Sequence, residues 1–248
     1  MKRTIAILTA VSFLFGCNTN ESAEAAQDEY SCRMVDSYNY NEPVAYSDAI
    51  DDSYYSDALF AGDSRMGALS LYGDLPNAEV DYVTSLNLMK IDVSAADERD
   101  DGKTLVDLLN ETDRGHIYLL FGINEIRNKN FDYFIEKYQE IVTNILTKNP
   151  ETDIYIILAW HPRKISGLTD EQLNIQLQDL NSRLSTLAAD NHVYYLVPDY
   201  ALTDENGIIK DDYVADGLHL GPAGTRAFED FIATHVVREE QYVKKVCE

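Results

Sequence analysis

The sequence predicts a three-layer α/β domain with a mainly parallel sheet of five strands. Three observations support this fold class: short apolar runs recur along the chain, amphipathic helical patterns lie between them, and no linker divides residues 55–240. Several of the runs are apolar at nearly every position, which is typical of strands covered on both faces. Strands and helices that alternate in this way form α/β domains with a parallel sheet.

The five predicted strands have the length and the β-branched or aromatic content of buried strands. They cover residues 57–62, 79–85, 116–122, 153–160 and 192–198. Ligands of parallel α/β sheets bind beyond the carboxyl ends of the strands. The residues that follow these runs are therefore the candidates for chemistry.

Three helices are predicted from apolar residues at three- and four-residue spacing. The first covers residues 131–146 and is stopped before Pro150. The second covers residues 173–187 and has Thr169 as part of a plausible N-terminal cap. The third follows Pro222.

Length and composition indicate a globular protein with a strongly acidic surface. The chain has 248 residues, of which 45% are apolar and 10% aromatic, so it can bury a core of its own. It carries 20 basic and 43 acidic residues, a formal net charge of −23. Such a chain repels phosphates and anionic headgroups, and we therefore expect no nucleic-acid partner.

Residues 1–17 are predicted to be an export signal rather than part of the fold. A basic start is followed by an apolar run of roughly a dozen residues, too short to span a bilayer comfortably. The run ends in a stretch, residues 14–17, that resembles the lipobox of bacterial lipoproteins, in which the cysteine is acylated. This predicts lipidation at Cys17 and an extracytoplasmic, membrane-anchored protein; an uncleaved anchor is the alternative.

The two remaining cysteines, Cys32 and Cys247, lie near the two ends of the chain. Export places them in an oxidising compartment, where such a pair can form a disulfide. We predict that they are bridged; two unpaired thiols are the alternative. Their spacing does not match a zinc site, and we predict no metal and no cofactor.

Three segments place a nucleophile candidate, an amide donor and an imidazole at one edge of the predicted sheet. Ser64 follows the first strand, Asn124 follows the third, and Asp216 and His219 precede the last helix. A hydroxyl becomes a strong nucleophile when a base takes its proton, and imidazole suits that task near neutral pH. A carboxylate three residues away can fix the imidazole tautomer. An amide can donate a hydrogen bond to a developing oxyanion.

Each of these residues also has a structural interpretation. Ser64 could be a helix cap, Asp216 the start of a turn, Asn124 a loop brace and His219 a surface histidine. Those interpretations do not explain why all four residues fall at one edge of the predicted sheet. The shared edge favours a catalytic site.

The motifs that carry these residues resemble those of SGNH (GDSL-type) hydrolases. They are GDS at residues 62–64, GINE at residues 122–125 and DGLH at residues 216–219, in the family's order over about residues 57–236. The resemblance implies a flavodoxin-like α/β/α sandwich with Ser64 as nucleophile, His219 as base and Asp216 as its orienting residue. The Ser64 N–H and Asn124 would form the oxyanion hole.

The sequence departs from the family pattern at two positions. The family usually has a glycine after the second strand, whose N–H completes the oxyanion hole; the matching residue is Ser85. Any residue except proline keeps that N–H, although only glycine is unrestricted in its backbone angles. Glu125 stands where many relatives have aspartate, and we expect this change to be tolerated.

Further contacts with substrate are predicted at the same edge. Asp63 and Gly122 flank the motifs, and His161 follows the fourth strand; a structural loop histidine is the alternative for His161. Arg65 could pair with an acidic surface residue or bind an anionic or hydroxyl-rich leaving group. Both alternatives stay open at the level of sequence.

The sequence thus predicts a lipid-anchored serine esterase. Residues 1–17 are the signal, residues 18–53 a tether and irregular lead-in, and residues 54–248 the catalytic domain. The expected substrate is an O-acyl ester, O-acetyl above all, on a cell-wall or environmental carbohydrate, with Cys17 as the only membrane attachment. Alternatives are a lipase, thioesterase or acyltransferase on the same residues, or a non-catalytic glycan-binding lipoprotein.

Overall fold

The computed structural model describes residues 32–97, 99–127 and 131–247. The predicted signal with Cys17 and the first part of the predicted tether, residues 18–31, lie outside the described residues. The described chain forms two units: a large unit, Asn39–Val237, and a small unit made from the residues before and after it. None of the helices described is long and apolar enough to cross a membrane.

The helices and strands follow the predicted alternation. In chain order they are β1 (Cys32–Asp36), β2 (Ala58–Asp63), α1 (Gly67–Tyr72), β3 (Glu79–Val83), α2 (Leu105–Glu111), β4 (His116–Leu120), α3 (Phe131–Lys148), β5 (Asp153–Ile157), α4 (Asp170–Asp190), β6 (Tyr194–Leu196), α5 (Asp199–Leu202), α6 (Pro222–Ala233), α7 (Glu239–Tyr242) and β7 (Val243–Cys247). Short 3₁₀ turns cover Asp52–Asp57, Leu88–Lys90 and Asp211–Tyr213. All five strands and all three helices expected from the sequence are present.

The large unit contains a five-stranded parallel sheet in the order β3-β2-β4-β5-β6. This is the flavodoxin-like order, so the predicted fold class is confirmed. The chain runs from β2 to the edge strand β3 and then returns to the other side of β2 to form β4. The resulting switch point lies at the carboxyl end of β2, where ligands of such sheets bind. Ser64 is the first residue beyond that end.

Helices cover both faces of the sheet. On one face, α2, α3 and α4 share a single apolar cluster with alternate strand residues such as Leu59 and Ile117. On the other face, the rings of Phe60, Tyr118 and Tyr155 stack across neighbouring strands with centroids 4.5 and 4.6 Å apart. Because residues alternate between faces along a strand, both sets follow from the same runs. The large unit is therefore a three-layer sandwich with the sheet in the middle.

Local sequence explains where the long helices begin. Thr169 caps α4 through a reciprocal hydrogen-bond pair with Gln172, and Pro222 is the first residue of α6. The short helix α2 has the same kind of cap, formed by Thr104 and Asp107. The sequence predicts no bounds for α1 or α2, because six or seven residues show too little periodicity.

The ends of the chain differ from the prediction. Residues 32–36, expected to be irregular, form β1 and pair antiparallel with β7 in the small unit. Residues 39–53 belong to the large unit, since the N–H groups of Val44 and Ser47 donate to the carbonyls of Tyr195 and Thr234 at 3.0 and 2.7 Å. The large unit therefore extends from Asn39 to Val237, whereas the sequence predicts that the catalytic domain begins at residue 54.

The backbone register of the small unit places Cys32 opposite Cys247. Directly opposed residues in antiparallel strands have Cα atoms about 4.5–5.5 Å apart, within the range that a disulfide spans. The side chains of both cysteines lie outside the described residues. The disulfide stays a prediction.

Candidate active site

The nucleophile candidate lies in a tight turn at the end of β2. A Cβ atom on Gly62 would stand 2.7 Å from the Leu120 carbonyl oxygen and 2.8 Å from the Met66 Cβ, so only glycine fits there. The Met66 N–H then donates to the Asp63 carbonyl at 2.9 Å and closes the turn. Ser64 projects from this turn and is partly exposed.

Ser64, His219 and Asp216 form a continuous chain of hydrogen bonds. Ser64 Oγ lies 2.8 Å from His219 Nε2, and His219 Nδ1 lies 2.8 Å from Asp216 Oδ2. With Nδ1 donating to the carboxylate, Nε2 is free to accept the serine proton. The structure thus brings these three predicted residues together in the order that acyl transfer requires.

Asp216 is held as an anion by its own loop. Burial alone would raise its pKa, but the N–H groups of His219 and Leu218 donate to Oδ1 at 2.9 and 3.0 Å, and the imidazole binds Oδ2. Together these hydrogen bonds lower the pKa of Asp216 to about 2. The carboxylate therefore stays charged beside the imidazole throughout the neutral range.

Ser85 adopts the backbone conformation that its glycine-like position requires. Its φ is +57°, in the left-handed region, within a turn that the Leu86 N–H closes by donating to the Val83 carbonyl at 3.2 Å. Val83 pairs with Asp63 in the neighbouring strand, so this turn borders Ser64 at the same sheet edge. A serine here keeps a glycine-like turn, at a cost of about 1 kcal/mol.

Asn124 reaches the same turn from the other side of β2. Its Nδ2 donates to the Leu86 carbonyl at 2.8 Å, and the amide has a second hydrogen to offer. Gly122, with φ of +114°, makes the bend that aims the loop, and its α-carbon faces Phe134 and Leu180 rather than open solvent. Gly122 therefore shapes the backbone of the loop that carries Asn124.

Comparison with known proteins identifies the family of the chain. The profile of the GDSL-like lipase/acylhydrolase family matches residues 78–227. The chain belongs to this family. The matched region includes Ser85, Asn124, Asp216 and His219, whereas Ser64 precedes it. The protein is accordingly a hydrolase that acts on ester bonds. A search of curated protein sequences found no match.

Solved structures are similar to this acylhydrolase at low sequence identity, and the first two below share its fold. A candidate platelet activating factor from Streptococcus pneumonia is 20% identical over 73% of this chain and 88% of its own, with a TM-score of 0.54. A GDSL-like lipase from Bacteroides thetaiotaomicron is 14% identical over 71% and 84%, with a TM-score of 0.53. An acetyl xylan esterase from Geobacillus stearothermophilus is 14% identical over 73% and 96%, with a TM-score of 0.46.

Two predicted substrate contacts of this acylhydrolase lie below the site instead of in it. Asp63 and Arg65 are 0% and 1% exposed and pair through two hydrogen bonds of 2.9 and 2.8 Å. The Arg65 guanidinium also lies 5.1 Å from the ring centroid of Trp160. Its partner is thus a buried carboxylate and not a surface one, and burial keeps both side chains from a substrate at the open edge. This corrects the two alternatives considered for Arg65.

His161 lies at the predicted sheet edge but is buried. Its Nδ1 is 2.6 Å from the Pro162 carbonyl oxygen, while Nε2 has no hydrogen-bond partner among the described residues. Sequence reasoning missed the neighbouring Arg163. Its backbone N–H donates to the Gly217 carbonyl at 2.8 Å. Arg163 thereby braces the loop of the acylhydrolase that carries Asp216 and His219.

Glu125 is the second residue that sequence reasoning undervalued. It is only 5% exposed, and its Oε1 accepts the Leu88 N–H at 2.7 Å. Its motif position could have marked it, but its burial depends on loops that are distant in sequence. Within the described ranges, no group of three or more His, Cys, Asp or Glu side chains is placed to hold a metal ion.

Proposed function

We propose that this acylhydrolase is a serine esterase that removes small O-acyl groups, O-acetyl first, from carbohydrate. The observation that carries the proposal is the hydrogen-bond chain from Ser64 through His219 to Asp216. A serine hydroxyl bonded to an imidazole that is itself held by a carboxylate is equipped for nucleophilic catalysis.

In the first half-reaction, Ser64 Oγ attacks the ester carbonyl while its proton passes to His219 Nε2. The carbonyl oxygen becomes an oxyanion, which the N–H groups of Ser64 and Ser85 and the free Asn124 amide hydrogen would stabilise. The tetrahedral intermediate collapses, and His219 gives the proton to the departing alcohol oxygen. The acyl group is left bound to Ser64.

In the second half-reaction, water replaces the alcohol. His219 Nε2 takes a proton from the water as its oxygen attacks the acyl-enzyme carbonyl, and the same donors hold the second oxyanion. Collapse releases the carboxylic acid and returns the proton to Ser64 Oγ. Asp216 remains ionised and fixes the imidazole in both steps.

The exposure of the site and the net charge of the chain support a carbohydrate ester as substrate. The side chains of His219 and Asp216 are 36% and 58% exposed, so an acyl group on a polymer can reach Ser64 at an open edge. The net charge of −23 disfavours anionic substrates such as acidic lipids. A neutral, acylated sugar fits both properties.

A lipase or thioesterase activity is the second candidate. Met89 and Val93, on the segment that follows Ser85, are 65% and 78% exposed. Apolar side chains at that place could contact a longer acyl chain. Turnover of esters from acetyl to decanoyl separates the two candidates, since the first predicts that acetyl is preferred.

The esterase proposal is tested with protein that lacks residues 1–17. We expect hydrolysis of p-nitrophenyl acetate, labelling of Ser64 by a fluorophosphonate and acetate release from an acetylated glycan. Ser64→Ala is the matched control and should lose turnover and label. A folded wild-type protein without turnover or label would refute the esterase.

We also propose that the protein is exported and anchored through Cys17, with a Cys32–Cys247 disulfide. Globomycin should block processing, and mass spectrometry should find an acylated Cys17 that Cys17→Ala cannot carry. The antiparallel register that opposes Cys32 and Cys247 supports the disulfide. Unreduced protein should yield one peptide linked through both residues; two free thiols would end that part of the proposal.

A further inference from the structure

Two neighbouring residues of the loop after β4 hold the backbone beyond Ser85. The Asn124 amide donates to the Leu86 carbonyl at 2.8 Å, and the Glu125 carboxylate accepts the Leu88 N–H at 2.7 Å. The two hydrogen bonds thus hold one carbonyl and one N–H of the segment that follows Ser85. Asn124 has an evident second task at the oxyanion, whereas Glu125 does not contact the reacting atoms.

The turn at Ser85 needs such support because its conformation is strained. A non-glycine residue in the left-handed region persists where its surroundings determine it. On the amino-terminal side, the Asp97 carboxylate accepts the N–H and the hydroxyl of Thr84 at 2.9 and 2.5 Å. On the carboxyl-terminal side, the support comes from Asn124 and Glu125. A glycine would have lowered the strain; here the neighbouring loop replaces that freedom.

Only one of the two Glu125 carboxylate oxygens is bound. Oε2 is buried and has no hydrogen-bond partner in the part of the chain that the structure describes. A carboxylate oxygen that is buried without a hydrogen bond destabilises the folded state. Packing alone therefore does not explain a glutamate at this position. The charged groups that act on it are Asp63 and Arg65, both at the end of β2.

We propose that Glu125 is a positioning residue for ester hydrolysis, which holds the Ser85 backbone beside Ser64 through the Leu88 N–H. This inference rests on the proposed esterase activity. An ionised carboxylate accepts a hydrogen bond more strongly than a neutral acid does, so the hold on Leu88 tightens when Glu125 loses its proton. Activity should therefore depend on the protonation of a residue outside the triad.

The pH window follows from the surroundings of Glu125. Burial raises its pKa to about 7, with the Leu88 N–H and Arg65 opposing the shift and Asp63 adding to it. Because the folded-state pKa lies above the unfolded one, the folded protein binds more protons between the two values. Stability is then highest below the unfolded pKa and falls as the pH rises towards 7. Turnover should rise with pH over the upper part of the same window. Activity and stability therefore change in opposite directions there.

The test uses the full-length chain with Glu125→Gln, Glu125→Ala and the control Glu136→Gln, a change at an exposed glutamate of α3. With p-nitrophenyl acetate, we expect Glu125→Ala to lower kcat by about 10- to 100-fold with little change in KM, as misplaced oxyanion donors would. Glu125→Gln keeps an acceptor for Leu88, so it should lose less turnover. The ratio of wild-type to Glu125→Gln kcat should rise with pH over the same window, because the contribution of His219 is common to both proteins and cancels. The control should match the wild type.

Hydrogen exchange of peptides covering residues 84–90 reports on the loop independently of turnover. Glu125→Ala should speed exchange there while the control does not. Unchanged exchange, or unchanged kcat and pH profile in folded Glu125 variants, would overturn the inference with the esterase intact. A wild type without turnover or Ser64 label would instead refute the esterase, and the catalytic consequence of Glu125 with it.

Discussion

Ser64 lies between two regions that are built in opposite ways. The histidine side is local and open: Asp216 and His219 are three residues apart, partly exposed, and their loop bonds mostly to itself. The other side, formed by Asp63, Arg65 and Glu125, is buried and joins segments from three strand ends. The difference separates two tasks, because an open side can exchange protons and products while a buried side keeps its geometry.

The largest effect is expected on the open side. Asp216→Asn removes the negative charge that stabilises imidazolium and offers Nδ1 a donor in place of an acceptor. We expect kcat to fall by about 1,000-fold or more. The free energy of unfolding should fall by only about 1 kcal/mol, because asparagine keeps an oxygen for the N–H groups of Leu218 and His219 and loses only the charge that they stabilise. Steady-state kinetics and urea unfolding measure the two quantities. Nearly full turnover in the variant would remove Asp216 from the mechanism.

The buried side should respond in stability first. Arg65→Met leaves the Asp63 carboxylate buried without its cation, and we expect it to lower the free energy of unfolding by about 3–5 kcal/mol. Arg183→Met is the matched control, because Arg183 pairs with Asp132 and Asp179 on the surface. Its loss should cost less than about 1 kcal/mol. Similar urea midpoints for the two variants would show that the buried ion pair contributes no more to stability than the exposed one.

Asn124 belongs to both regions and should affect both quantities. Asn124→Ala removes an oxyanion donor and the tie to Leu86, so we expect kcat to fall by about 100-fold together with a moderate loss of stability. Asn181→Ala is the control: Asn181 binds both backbone groups of Ala159 at 2.9 and 2.8 Å and has no place in the mechanism. It should lower stability but leave kcat unchanged; an equal fall in kcat would deny Asn124 a catalytic role.

The smallest effect is expected at Ser85. Ser85→Gly relieves the left-handed strain and keeps the N–H, so the free energy of unfolding should rise by at most about 1 kcal/mol with kcat preserved. Ser85→Val should do the reverse, because β-branched residues tolerate positive φ poorly. Thermal unfolding and kinetics of the pair measure this. A glycine variant less stable than the wild type would contradict the strain.

The same comparison explains how much the sequence could predict. Asp216 and His219 could be recognised because a three-residue spacing in one loop brings them together, and the strands because they are apolar at nearly every position. Arg65 could not be placed, since an arginine beside the exposed Ser64 gives no sign of the carboxylate and indole that bury it. β1 and β7 were missed for a related reason: each has only five residues, with no clear alternation of apolar and polar residues, and only their pairing across the whole chain makes them strands.

Trp160 gives the molecule an optical reporter of its own. It is the only tryptophan in the sequence, it is fully buried, and it stacks against the guanidinium that holds Asp63 behind the nucleophile. The tyrosines, by contrast, are spread over the sheet and the surface. Selective excitation of the indole should therefore follow the floor of the active site alone, so that its loosening can be timed against the unfolding of the rest of the protein without any added label.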